Sequence, residues 1–339
     1  FPPVFVDELK WNYTDPFLFA GIEPGAINDP VQQEWIDFRC WRLGEVSKRF
    51  KEYIKKISPD IAIVWNCPYM GPMGGLNNAV FHGIWPTSIY PHCDALAAEA
   101  DQGILGVHQD GKLATRIRTF KSARKLRRGV WMTNFQRKNI LLDLAESMAF
   151  NPFVFNTVGM PGLDCLEKET KEYIKFFKHN RKYFEETEEI PEIALLNSYP
   201  SLSYSMTSSL ISLIYFEETL IRSKIPYSVI YDEDLEDISE YSVLVLPNVK
   251  YMSSKQISQV ENYVKNGGSL IATDQTSLLD EWGRRRKGVS LFHVPMEEQE
   301  YGLENVLGIK WPINEVVKGT LGKGKFAVIP KVVPHEKDL

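Results

Sequence analysis

An α/β protein is predicted, built from the C-terminal part of a (β/α)8 barrel of the TIM type followed by a flavodoxin-like doubly wound domain. Three observations predict it. Short apolar runs that read as strands alternate with longer helical patterns. The runs are apolar on both faces, as strands covered by helices are, which points to parallel sheets. The alternation breaks at a polar, acidic stretch over residues 165–192 and then resumes, and 339 residues suffice for about two domains.

The first part runs over residues 1–164. It opens with a strand over Val4 to Leu9, followed by a loop rich in Pro, Gly and Asn. A helix from about Pro30 to Ile57 follows, with Trp35, Phe38, Leu43, Val46, Phe50 and Ile54 spaced for one apolar face. Next come the strands IAIVWN (61–66) and CDALAAEA (93–100), a basic helix near 113–127, the strand GVWMTN (129–134), a helix over 139–150 and the strand PFVFNT (152–157). Five such units are fewer than the eight of a barrel, which takes about 250 residues. The chain also opens on Phe1 rather than Met, so three further strands and any signal peptide are expected upstream, and localisation stays open.

Residues 165–192 read as a linker helix ending in EETEEIPE. The second domain, 193–300, alternates IALLNS, an apolar helix near 207–223, YSVIYDED, SVLVLPN, a helix starting near Ser253, and SLIATDQTS. Ser253 is placed as an N-cap and Gly267-Gly268 as a stop. Residues 301–339 carry glycines and short strand signals without a clear place in this scheme.

Composition narrows the function. Hydrophobic residues make up 44% and charged ones 24%, which is ordinary globular usage and excludes fibrous or low-complexity classes. A net charge of −5 argues against a nucleic-acid partner, whose phosphates call for a basic surface. No apolar run approaches the ~20 residues of a membrane span, so no membrane partner is expected. Cys40, Cys67, Cys93 and Cys165 lack CxxC spacing and read as buried thiols rather than a disulfide framework.

In a parallel barrel the active site lies at the carboxyl ends of the strands. Those ends carry Asp7 and Glu8, Asn66, Glu99, and Thr133 with Asn134. Two carboxyl groups on different strand ends are what glycoside hydrolysis requires, one to protonate the leaving oxygen and one to attack the anomeric carbon or activate water. The plainer alternative makes them helix caps or ion-pair partners. Side chains alternate along a strand, so only one of Asp7 and Glu8 faces the site, and parity does not decide which. Asn66 and Asn134 could bind sugar hydroxyls, and Trp11, Trp65 and Trp131 could stack on a sugar ring or pack in the core.

The order of the FVDE strand end, the EWIDFRCWRL helix, SPDIAIVWN and CDALAAEA, followed by LLNSYPS and LEDISEYSVLVLPNVKYMSSKQISQVENYVKNGGSLIATD, resembles uncharacterised glycoside-hydrolase-like proteins. These join a (β/α)8 barrel to a class I glutamine-amidotransferase-like domain, known in family forty-two β-galactosidases as the trimerisation domain. The resemblance spans roughly residues 1–295 and is strongest in the second domain. It implies a carbohydrate substrate, no cofactor, and a homo-oligomer formed through the second domain. The barrel departs from the family forty-two pattern. There the nucleophile is a glutamate ending the seventh strand, whereas the matching GVWMTN carries no acid. With PFVFNT as strand eight, Asp7-Glu8 falls on strand four and Glu99 on strand six, an arrangement similar to the retaining α-galactosidase superfamily and to α-L-fucosidase-like barrels. That likeness implies a nucleophile at Asp7, with Glu8 in reserve, and an acid/base at Glu99, although the superfamily's acid/base is usually an aspartate. The alternative is a non-catalytic carbohydrate-binding or oligomerisation scaffold.

Other chemistries fit less well. A glutaminase of this class needs a nucleophilic cysteine, and none follows Cys165. No GxGxxG or P-loop follows a strand, against nucleotide binding. Cys67, His82, His92 and Cys93 match no zinc spacing, and no metal is expected. The seven basic residues from Arg116 to Arg128 read as a solvated helix face, as does the turn Arg284 to Lys287 beside Asp280.

Overall fold

A computed structural model describes residues 29–66, 78–100, 114–126, 129–134, 148–150, 154–158, 168–185, 190–205, 207–273, 275–284 and 315–330, together with Ile27, Ala145 and Thr187. The chain divides into two compact units. One holds Cys40–Asn78 and Gly83–Ile190, and the other holds the residues up to Arg39, Ala79–His82 and the chain from Pro191 on.

Helix α1 (Pro30–Ile57) keeps the expected helical period, but only part of the expected apolar stripe faces inward, Leu43 packing against a core cluster. Phe38 and Phe50 lie largely in solvent, while Ile36, Cys40 and Ser47 are buried. The reason is close approach. A Cβ on Gly44 would stand 2.8 Å from the carbonyl oxygen of Ser88, so the inward stripe is lined by small residues around Gly44, with Ile36 and Leu43 beside them. Val31, Phe38, Trp41, Phe50, Tyr53 and Ile57 remain exposed along the helix.

The first unit carries β1 (Val64–Asn66), β2 (Ala95–Ala100), β3 (Gly129–Asn134) and β4 (Val154–Val158). They pair in parallel in sequential order. Short helices α2 (Asn78–His82) and α3 (Pro86–Ile89) precede β2, and α4 (Ala114–Lys125) joins β2 to β3. Ile84, Ile89, Tyr90, Cys93, Leu96, Phe120 and Ala123 form its core, with Leu43, Ile63, Trp65, Leu126 and Phe150 packed against them. The basic helix is not wholly a solvated face: Arg118 and Lys121 are buried. Their long aliphatic stems cover apolar surface, and the Lys121 ammonium sits 5.3 Å from the centre of the Phe150 ring, a cation–π distance. Helices α5 (Lys168–Asn180) and α6 (Lys182–Glu185) follow β4.

The second unit holds β5 (Ile193–Leu196), α7 (Tyr199–Tyr204), α8 (Thr207–Arg222), β6 (Tyr227–Ile230), β7 (Val243–Leu246), α9 (Ser254–Lys265), β8 (Ser269–Thr273), β9 (Val317–Leu321) and β10 (Gly324–Ile329). Its strand order is β6-β5-β7-β8-β10-β9. Among the described residues only the β9–β10 pair of this sheet is antiparallel. The start β6-β5-β7-β8 is the 2-1-3-4 order of a doubly wound sheet, with a reversal between β5 and β7. Ala194, Leu196, Leu244, Leu246, Leu270, Ala272, Phe326 and Val328 pack with Ile257, Val260 and Val264 of α9. Ser253 caps α9 as expected. Its hydroxyl accepts the Gln256 N–H at 3.2 Å while the Gln256 side chain accepts the Ser253 N–H at 2.7 Å, a capping box. The hairpin β9–β10, drawn from the stretch without an assigned place, adds two strands to this sheet. In the basic turn Arg284 is exposed as expected, and its guanidinium pairs with the buried carboxylate of Asp280 at 2.6 Å.

Candidate active site

Strand register places most of the predicted residues of the first unit. Trp65, Leu96, Val130 and Val154 form one row across β1 to β4, and paired residues of parallel strands project to the same face. Leu96 is fully buried in the helix-covered core and Trp65 packs against it, so that row marks the helix-covered face. The row Asn66, Ala97, Trp131, Phe155 and the row Glu99, Thr133, Thr157 fall on the opposite face.

Three predicted residues, Asn66, Glu99 and Trp131, therefore share one face near the carboxyl ends of adjacent strands. Glu99 lies two positions beyond the partner of Asn66 and of Trp131, which puts each pair of Cα atoms roughly 8 Å apart. Trp65 lies in the core cluster on the other face, and Asn134 has the same parity as Trp65. Asp7, Glu8 and Trp11 lie outside the described residues.

The opposite end of β2 is built for stability. Asp94 accepts the Ile63 N–H at 2.9 Å and pairs with Lys55 at 3.1 Å. Partial burial opposes its charge, but the Ile63 hydrogen bond and the Lys55 and Lys51 ammonium groups outweigh that and hold its carboxyl below the usual range.

The second unit gathers polar residues that the sequence reading passed over. Asp232, just after β6, accepts the Tyr199 N–H at 2.6 Å and the Gln256 side-chain amide at 2.7 Å. It thus ties the start of α7 to the capped start of α9. Asp37 of α1 accepts the hydroxyls of both Tyr199 (2.6 Å) and Tyr204 (2.5 Å). At the ends of β5 and β7, Asn197 and Asn248 are buried. Asn197, Asp232 and Asn248 are polar residues following apolar strands, and only the strand order relates them.

Asp232 keeps part of its surface open to solvent, yet protein packs densely around its carboxyl. That burial pushes it up to about 7 against the Tyr199, Ser198 and Gln256 hydrogen bonds, which favour the charged form. The folded-state value lies above the unfolded one, so the native chain holds a proton that the unfolded chain has released between about pH 4 and 7. The contribution is full below that window and is lost as pH rises through 7. Unfolding free energy from urea titration is expected to fall from pH 5 to pH 8, with a limiting slope of about 1.4 kcal/mol per pH unit from this group. The fall should be shallower in Asp232→Asn, and parallel curves would refute the assignment.

A family model for the β-galactosidase trimerisation domain matches residues 200–317. No curated protein matches the sequence. Among solved structures, the chain is similar to the β-galactosidase of Bacillus circulans sp. alkalophilus, with a TM-score of 0.65, 13% identity, and coverage of 87% of this chain and 54% of that one. The cold-adapted β-galactosidase of Rahnella sp. R3 gives 0.60 and 13%, covering 87% and 55%. A family forty-two exo-carrageenase of Bacteroides ovatus gives 0.60 and 13%, covering 90% and 43%. The chain thus spans about half the length of these structures. The likeness establishes an α/β fold of that kind.

Proposed function

We propose that this chain is the C-terminal part of the barrel of a retaining glycoside hydrolase, joined to an amidotransferase-like domain that serves assembly. The observation that carries the reading is the shared face of Asn66, Glu99 and Trp131 beside the carboxyl ends of sequentially ordered parallel strands. Sequential order without reversal is what a barrel requires, and the helix-free face of such a sheet is the barrel interior.

In this reading Asp7, or Glu8 in its place, attacks the anomeric carbon while Glu99 protonates the departing glycosidic oxygen. The covalent glycosyl ester is then hydrolysed by a water that gives its proton to Glu99. Asn66 bonds a ring hydroxyl, and Trp131 offers a stacking surface. The solved relatives named as β-galactosidases make galactosides the first substrates to try. Proton NMR of the released sugar from aryl α- and β-galactosides is expected to show hydrolysis with retained configuration. Inverted product would remove the protein nucleophile, and sugar binding without hydrolysis would leave the scaffold reading in its place.

The match to a trimerisation domain supports self-association, and the exposed aromatic residues of α1 add apolar surface of the kind that interfaces bury. Sedimentation equilibrium is expected to give three times the 38.9 kDa chain mass; a monomer at micromolar concentration would refute assembly.

A further inference from the structure

Two carboxamides at strand ends of the second unit keep buried hydrogen-bonding atoms without partners. Asn197 is 5% exposed and Asn248 1%, and neither Oδ1 of Asn197 nor Nδ2 of Asn248 meets a donor or acceptor. Each such atom costs about 1–3 kcal/mol, so folding alone gives no reason to keep two of them on neighbouring strands. Their position supplies one. β5 and β7 pair directly, and β6 lies on the far side of β5, so the strand order reverses where these residues stand. At such a point the connections leave toward opposite faces of the sheet and a ligand crevice opens beyond the carboxyl ends.

The groups that hold the two residues are neutral. The Asn197 N–H donates to the Ile230 carbonyl at 2.8 Å. The Asn248 N–H donates to the Thr273 hydroxyl at 2.8 Å, its carbonyl accepts from Ser209 at 2.8 Å, and its Oδ1 accepts the Gln275 N–H at 3.3 Å. The inward stripe of α8 is unusually polar at the same end, with Ser209 and Ser212 buried. An anionic ligand would call for Arg or Lys here, and among the described residues the hydrogen-bond partners of Asn197 and Asn248 include neither. A hydroxyl both donates and accepts, so it complements a carboxamide whichever way the amide is turned.

We propose that the reversal point between β5 and β7 is a binding site for a small neutral polyhydroxy molecule, such as a free monosaccharide, contacted by the amides of Asn197 and Asn248. The site is built from residues of the second unit alone and does not depend on the proposed hydrolytic centre.

The test is calorimetric titration of the protein with D-galactose, D-glucose and, as a charged comparison, inorganic phosphate. Saturable hexose binding is expected, weakened about tenfold or more in Asn197→Leu and in Asn248→Gly, with no binding of phosphate. Glycine accepts the left-handed backbone at Asn248 (φ 47°), so that variant folds even if the leucine at 197 does not. Where Asn197→Leu folds, its thermal midpoint should rise, because an apolar side chain replaces an unmatched amide. Glu99→Gln should leave this binding unchanged, which separates it from the hydrolytic reading. The proposal is overturned if no hexose binds saturably at millimolar concentration, if hexose binding is equal in both variants and the parent, or if phosphate binds instead.

Discussion

Glu99→Gln is expected to lower the turnover of aryl galactosides with poor leaving groups by about 10²–10⁴-fold, the range a positioned general acid/base supplies. The substitution preserves shape and hydrogen-bonding reach but removes the transferable proton. Glu99 occupies the penultimate position of β2, where it pairs with Thr133 of β3, which runs beside β2 along its whole length, so the backbone has no reason to shift. The effect has an internal control. A dinitrophenyl galactoside needs little protonation to depart, so its first step should be nearly as fast as in the parent while hydrolysis of the covalent ester becomes limiting. Added azide, which needs no general base, should then restore turnover and give a galactosyl azide of retained configuration. Asp7→Asn should show the opposite pattern, with both substrates slow and any azide product inverted. A Glu99→Gln protein that turns over both substrates at the parent rate would remove the acid/base assignment and leave the carboxylate as a strand-end residue. The far end of β2, where Asp94 joins Ile63 and Lys55, provides the comparison, since substitution there should change stability and leave chemistry alone.

The features legible in the sequence were those carried by local pattern. Continuous apolar runs marked β1 to β8, and the Ser253 capping box marked the start of α9, because each signal lies within a few residues. Features set by contact between distant segments were not legible. The inward face of α1 is chosen by the close approach of Gly44 to Ser88, which large apolar residues do not report. The burial of Lys121 depends on Phe150, a partner 29 positions away along the chain. The strands β9 and β10 are short, glycine-bearing and alternating, and only the pairing of β10 with β8, more than fifty residues earlier, joins their hairpin to the sheet. The candidate site divides in the same way. Asn66, Glu99 and Trp131 stood out as polar or aromatic ends of apolar runs, but their shared face follows from register. Asn197, Asp232 and Asn248 gain meaning only from the reversal in strand order.

Gly324→Ala should be the most destabilising single-methyl change in the second unit, costing about 3 kcal/mol or more. A Cβ at this position would stand 2.2 Å from the carbonyl oxygen of Gly268 and 2.2 Å from that of Val264, and both obstacles are backbone. The Val264 carbonyl is further held by the Gly267 N–H at 3.0 Å where α9 ends. The turn before β10 is fixed against the same helix end, since the Lys323 N–H donates to the Lys265 carbonyl at 3.0 Å. A methyl group can therefore be accommodated only by lifting the hairpin from α9, which draws Phe326 and Val328 out of the core they share with Val264 and Leu270. Gly319→Ala separates crowding from backbone collision. Its Cβ would meet the Phe326 ring at 2.5 Å, and a ring can turn aside, so the cost should be smaller. Urea unfolding of the two variants checks the difference. If Gly324→Ala unfolds within about 0.5 kcal/mol of the parent, the hairpin is not seated against α9 as described, and β10 would then owe its place in the sheet to β8 alone.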